Sequence, residues 1–250
     1  MSKESIGGYH EQLPSRHRLG DLYLDIRSNL ELLGGPSLEQ IRYLRMRGSK
    51  LLMMGNHRSN ADAPVLEHTL ESKGYKDISD SLIFLLGQKL KQSPGTEFFS
   101  HAYNHIDVWP PTIQPASPEE KKIAFEMGKS SLRTVREKLG EGRIITIFPE
   151  GTRTRDGNMS SFNSSIARYA LEENRNEIPD TYVIPFALAG TENIWHVSQA
   201  RPSLKHTSAR VNVGQPFLAD DYVMNNGKVD LNSLMTHTQQ QVSDLYIEIS

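Results

Sequence analysis

Two polar segments, each following a short apolar run, hold the residues that could do chemistry in this chain. The first is Gly55-Asn56-His57-Arg58-Ser59-Asn60-Ala61-Asp62-Ala63-Pro64, directly after Leu51-Leu52-Met53-Met54. A carboxylate held against one imidazole nitrogen fixes the tautomer, and the other nitrogen can then take a proton from an attacking hydroxyl. His57 and Asp62 are spaced for such a dyad. The same residues also suit a structural role, with Asp62 as the N-cap of the next helix, a proline in its first turn, and His57 a hydrogen-bonded loop residue. His-x4-Asp is a weak pattern alone and decides nothing.

The second segment follows Ile144-Ile145-Thr146-Ile147-Phe148 and reads Pro149-Glu150-Gly151-Thr152-Arg153-Thr154-Arg155-Asp156-Gly157. Proline ends a strand ladder, and glycine lets the backbone approach a ligand closely. Arg153 and Arg155 project from one short loop, and guanidinium forks suit phosphate oxygens. A polar loop with solvated arginines is the competing reading.

These segments need elements to position them. Apolar runs predict strands at Lys50–Met54, Ser81–Leu86, Asn104–Val108, Arg143–Phe148, Thr181–Leu188 and Ala209–Val213. Helical spacing predicts helices near Asp62–Lys73, Ser117–Leu139, Phe162–Glu173 and Leu231–Ile247. Ser117, Pro118 and Glu120 form a capping box at the start of one of them. Alternating strands and helices imply an α/β fold: a single domain with a largely parallel sheet flanked by helices, whose strand ends bind ligands. Ahead of it, residues 1 to 14 read as a loose end. The apolar spacing from Leu19 to Leu33 predicts a helix, stopped by Gly34-Gly35-Pro36 and followed by a second at Leu38–Arg47. The division expected is therefore a tail and short helical N-terminal extension at 1–47 and a main domain at 48–250. The helix pair reads either as a structural cap or as a surface resting on anionic lipid through Arg42, Arg45 and Arg47.

Composition narrows the classes. With 28 basic and 30 acidic residues among 250, the net charge is −2 and no nucleic-acid partner is expected. The absence of cysteine removes disulfides, thiolate metal sites and a cysteine nucleophile. No apolar run is long enough for a transmembrane helix, and the start of the chain lacks the apolar stretch of a secretory signal. No serine elbow, complete phosphate loop, dinucleotide fingerprint or His-Glu-x-x-His is present. Nine histidines invite a metal reading, but none shows ligand spacing on a predicted helix, and His101 and His105 read as structural.

Taken together, Asn56-His57-Arg58-Ser59-Asn60-Ala61-Asp62 and Phe148-Pro149-Glu150-Gly151-Thr152-Arg153 resemble the glycerolipid acyltransferase family, in order and in spacing. Val183-Ile184-Pro185-Phe186-Ala187-Leu188-Ala189-Gly190 looks like that family's valine/isoleucine-proline block. Val211-Asn212-Val213-Gly214-Gln215-Pro216-Phe217 is similar to its strand-glycine-x-proline ending. The resemblance spans residues 48 to 220. One departure is Val108, where the family usually carries a basic residue for the acceptor's phosphate.

The resemblance implies transfer of a fatty acyl group from acyl-coenzyme A (acyl-CoA) or acyl carrier protein (acyl-ACP) to a hydroxyl of glycerol 3-phosphate or a lysophosphatidic acid-type acceptor. His57 would be the general base and Asp62 would orient it. Arg153 and Arg155 would grip the phosphate, while Glu150, Gly151 and Thr152 shape the site. No metal and no tightly bound cofactor are implied. The location implied is cytoplasmic, or peripheral on the inner face of a membrane. Two alternatives stay open: the same chemistry on a phosphate-free alcohol or amine, and a silent module that binds lipid or the acyl carrier.

Overall fold

The structure is a computed structural model that describes residues 8–87, 100–109, 113–153, 158–171, 180–199, 201–224 and 227–250. Its centre is a sheet in which nine strands are found among the described residues. They are β1 (Tyr9–His10), β2 (Ser28–Leu33), β3 (Lys50–Gly55), β4 (Leu82–Gly87), β5 (His105–Val108), β6 (Ile144–Ile147), β7 (Thr181–Ala189), β8 (Thr207–Val213) and β9 (Phe217–Leu218). The order across the sheet is β1-β5-β4-β6-β3-β7-β8-β2, with β9 beside β7. The five strands β5, β4, β6, β3 and β7 run parallel, and β8 turns antiparallel against β7.

Parallel strands covered on both faces read as continuous apolar runs, and β3 follows that rule. Leu51 and Met53 enter one core while Leu52 and Met54 enter the other. The first core is roofed by α2 (Gly35–Met46) and α3 (Asp62–Ser72). The second is roofed by α5 (Pro118–Gly140) and α8 (Leu231–Ile249), with the short α6 (Ser164–Leu171) at its margin, while the short α4 (Lys76–Ser79) and α7 (Thr191–Ile194) lie beside the first. Half of the expected capping box forms at α5: Ser117 Oγ accepts the Glu120 N–H at 3.1 Å, while Glu120 reaches one residue past the N-cap to the Ala116 N–H at 2.6 Å.

The N-terminal region differs from the sequence reading. The helix expected over Leu19–Leu33 ends early: α1 runs Pro14–Arg27, and Ser28–Leu33 becomes β2. β2 lies parallel to β8 in register from Ser28 opposite Thr207 to Leu33 opposite Asn212. Leu30 and Leu33 fit a helical spacing, but Leu30 also fits a strand, buried at 8% exposure beside exposed Glu31. The open edge of β8 decides between them. Tyr9–His10, read as part of a loose end, pairs with β5. Residues 8–47 are therefore not an appended helical hairpin, because they supply two strands of the central sheet. Gly34 makes the tight turn from β2 into α2 with φ at +89°, and a Cβ there would lie 2.1 Å from the Val213 carbonyl oxygen.

Candidate active site

The carboxyl ends of β3, β6 and β7 meet, and each delivers part of one site. Gly55 closes β3 where a Cβ would lie 2.5 Å from the ring of Phe186, so the smallest residue is required. Asn56 then continues the pairing with its side chain: Nδ2 donates to the Leu188 carbonyl at 2.9 Å, and the Leu188 N–H donates to Oδ1 at 2.8 Å. That anchors the loop to β7 one residue before His57.

His57 and Asp62 are brought together, with Nδ1 2.7 Å from Oδ2. The carboxylate is 1% exposed and is not the helix cap the sequence allowed; it folds back over its own loop. Oδ2 also accepts the N–H groups of Arg58 and Ser59 at 2.7 and 2.9 Å. Oδ1 accepts the hydroxyls of Ser59 at 3.1 Å and Thr191 at 2.5 Å. These donors converge on the carboxylate at the N-terminal end of α3, where the helix dipole favours negative charge. An acceptor-only partner requires the hydrogen on Nδ1, which makes Nε2 the basic nitrogen. The imidazole is also stacked on Phe148, with centroids 4.5 Å apart and planes at 16°. Held along one edge and across one face, it retains 22% exposure.

Phe148 belongs to the loop after β6, so this stacking joins the two polar segments. Glu150 joins them again: Oε1 accepts the His57 N–H at 2.6 Å and Oε2 accepts the Ser160 N–H at 2.8 Å. Burial pushes its carboxyl up to about 7 against the pull of those two N–H groups. Both its oxygens are committed to backbone, so Glu150 shapes the site by holding His57's own peptide. Gly151 turns the loop with φ at +68°. Thr152 is exposed and Arg153 half-buried. The charge of Arg153 acts on the Tyr103 hydroxyl, whose ionisation burial pushes strongly upward and Arg153 draws back. Arg155 lies outside the described residues.

Residues 37–189 match the family model described as Acyltransferase. The chain belongs to the acyltransferase family. Its fold is similar to that of the 1-acyl-sn-glycerophosphate (LPA) acyltransferase PlsC from Thermotoga maritima, with a TM-score of 0.53 and 16% identity over 94% of this chain and 79% of that one. No curated protein matches the sequence.

Three parts of this acyltransferase site escaped sequence reasoning. Thr191, on the turn after β7, completes the shell around Asp62, and only its place just past the proline-containing strand hinted at it. Phe148 was read as the end of a strand, but it is the platform under His57. Arg58, beside the dyad, is not available for substrate: it pairs with Glu192 at 3.2 Å and lies 4.9 Å over the Tyr246 ring.

Proposed function

We propose that this acyltransferase moves a fatty acyl group from acyl-CoA or acyl-ACP to a hydroxyl of glycerol 3-phosphate or a lysophosphatidic acid-type acceptor, making a phospholipid precursor. The observation that carries the reading is the His57–Asp62 pair at 2.7 Å, part-exposed at its histidine and locked to the arginine-bearing loop through Phe148 and Glu150. The solved protein of similar fold is titled an LPA acyltransferase, which supports the acceptor class.

In the proposed reaction His57 Nε2 removes the proton of the acceptor hydroxyl as its oxygen attacks the thioester carbonyl. Asp62 stabilises the imidazolium so formed. The carbon–sulfur bond breaks, the imidazolium returns the proton to the thiolate, and the products are an ester and a free thiol. Thiolates leave readily, so no acyl-enzyme is needed. General-base catalysis of this kind contributes about 10²–10⁴-fold. Arg153 holds the acceptor's phosphate through a charge-assisted fork.

One observation favours a second acceptor class. Val108 is buried at 7% exposure at the end of β5 and offers no cation to a phosphate, as a phosphate-free alcohol or amine would require. Thiol release from acyl-CoA and acyl-ACP, measured with glycerol 3-phosphate, lysophosphatidic acid, glycerol and a long-chain amine, separates the two. The proposal expects turnover with a phosphorylated acceptor, competition by inorganic phosphate, and a raised KM for that acceptor alone in Arg153→Ala. Turnover with the amine or glycerol alone would overturn the phosphate assignment.

A fatty acceptor is met at a lipid surface, and no helix among the described residues is long and apolar enough to cross a membrane. The arginines of α2 do not suit such contact: Arg42 is tied to Asp77, Glu39 and the Gly74 carbonyl, and Arg45 donates to the Asp77 carbonyl. The surface we propose is α1, where Leu19, Leu22 and Ile26 are more than half exposed. Asp21 and Asp25 are engaged with His68.

A further inference from the structure

We propose that His17 and Asp21 of α1, with Glu71 of α3, bind a divalent transition-metal ion of the zinc class that joins the two helices. Their ligand atoms Nε2, Oδ2 and Oε2 all lie within 4.8 Å of one another. His17 Nε2 is 3.3 Å from Asp21 Oδ2 and 3.5 Å from Glu71 Oε2. Ligands held about 2.0–2.1 Å from a tetrahedral zinc are separated from each other by about 3.3–3.4 Å. The two separations from His17 Nε2 already stand near that spacing.

Hydrogen bonding around the cluster turns electron pairs inward. His17 Nδ1 lies 3.1 Å from the Ala102 carbonyl oxygen, which can only accept, so Nδ1 carries the hydrogen and the Nε2 lone pair faces the two carboxylates. A histidine ligand whose other nitrogen donates to a backbone carbonyl is the usual outer arrangement of a metal site. Asp21 Oδ1 is bound by His68 at 3.0 Å, and Glu71 Oε1 by Lys76 at 2.7 Å. Each of those contacts leaves the other oxygen toward His17. Glu71 Oε2 is buried with no hydrogen-bond partner.

Glu67 stands on the other, Nδ1 side of the His17 ring. It is 3% exposed, and its one ion-pair partner among the described residues is His17 Nδ1, 3.8 Å from Oε2 and beyond hydrogen-bond reach. Two carboxylate oxygens, from Asp21 and Glu71, stand around the Nε2 lone pair. An imidazole nitrogen with carboxylate oxygens suits zinc among the common ions. The second histidine–carboxylate group, His10, His105 and Asp107, does not have this geometry. Its two imidazoles are stacked at 4.7 Å with planes at 12°, so their in-plane lone pairs cannot converge on one ion. Because α3 begins at Asp62, an ion here would steady the helix that carries the catalytic carboxylate.

The test is calorimetric titration of the chelator-stripped chain with ZnCl₂, paired with thermal unfolding. The expected result is one ion per chain with micromolar or tighter affinity and a Tm raised by several degrees. Asp21→Asn and Glu71→Gln should each weaken binding at least about tenfold, and His10→Gln should leave it unchanged. Glu71 is partly exposed, so Glu71→Gln keeps the test interpretable if Asp21→Asn disturbs folding. Affinity no tighter than millimolar, binding indifferent to Glu71→Gln, or binding lost in His10→Gln would overturn the assignment.

Discussion

Replacing Glu150 by glutamine should remove a pH dependence from the stability of the fold. The Glu150 carboxyl is buried at 4% exposure, and burial lifts it from an ordinary value of 4.5 to about 7. A carboxyl whose folded value lies above its unfolded value holds its proton more tightly in the folded state. Its contribution is therefore complete below pH 4.5 and lost as pH rises through about 7. At about 1.4 kcal/mol per pH unit the whole interval is worth about 3 kcal/mol, of which roughly 2–3 kcal/mol falls between pH 5 and 8. Glutamine does not titrate. It accepts one of the two N–H groups and presents its own donor to the other, so one hydrogen bond is lost at roughly 0.5–1.5 kcal/mol. Glu150→Gln should thus be less stable than wild type at pH 5, and the gap should close or reverse by pH 8. Urea unfolding of both proteins at pH 5, 6, 7 and 8 reads this directly. Parallel curves, with a difference constant within about 0.5 kcal/mol, would show that Glu150 titrates as an ordinary carboxyl and refute the argument from burial.

Two further outcomes are expected. Thr191→Val keeps the shape but removes a donor to the Asp62 carboxylate, so kcat should fall severalfold with KM for the thioester unchanged, and stability should drop by roughly 1.5–3 kcal/mol; kinetics with an unfolding curve checks both. Leu22→Glu with Ile26→Glu should abolish co-sedimentation with anionic vesicles while leaving turnover on a water-soluble acceptor intact, and undiminished sedimentation would remove α1 from the lipid surface.

The parts legible in the sequence were those whose physics is local. β3 and β6 announced themselves because strands buried on both faces are apolar without alternation, and α5 because Ser117, Pro118 and Glu120 carry their capping chemistry within four residues. His57 and Asp62 could be paired because they share one loop. What stayed hidden depends on partners remote in the chain. Ser28–Leu33 carries both periodicities, and β8, which decides between them, comes far later. The hydrogen bond between Glu150 and His57 spans 93 residues, and that between Thr191 and Asp62 spans 129. The α2 arginines read as a basic patch until Asp77, 35 residues beyond Arg42, accepts from both Arg42 and Arg45. Val108 marks a departure that sequence could locate but not interpret.

The central claim is that His57 is the base that activates the acceptor. Its most direct test is thiol release from acyl-CoA or acyl-ACP by purified His57→Ala, at saturating acceptor, beside wild type of matched unfolding midpoint. The expected result is a fall in kcat of about 10²–10⁴-fold with KM for the thioester little changed. Release at the wild-type rate would contradict the mechanism.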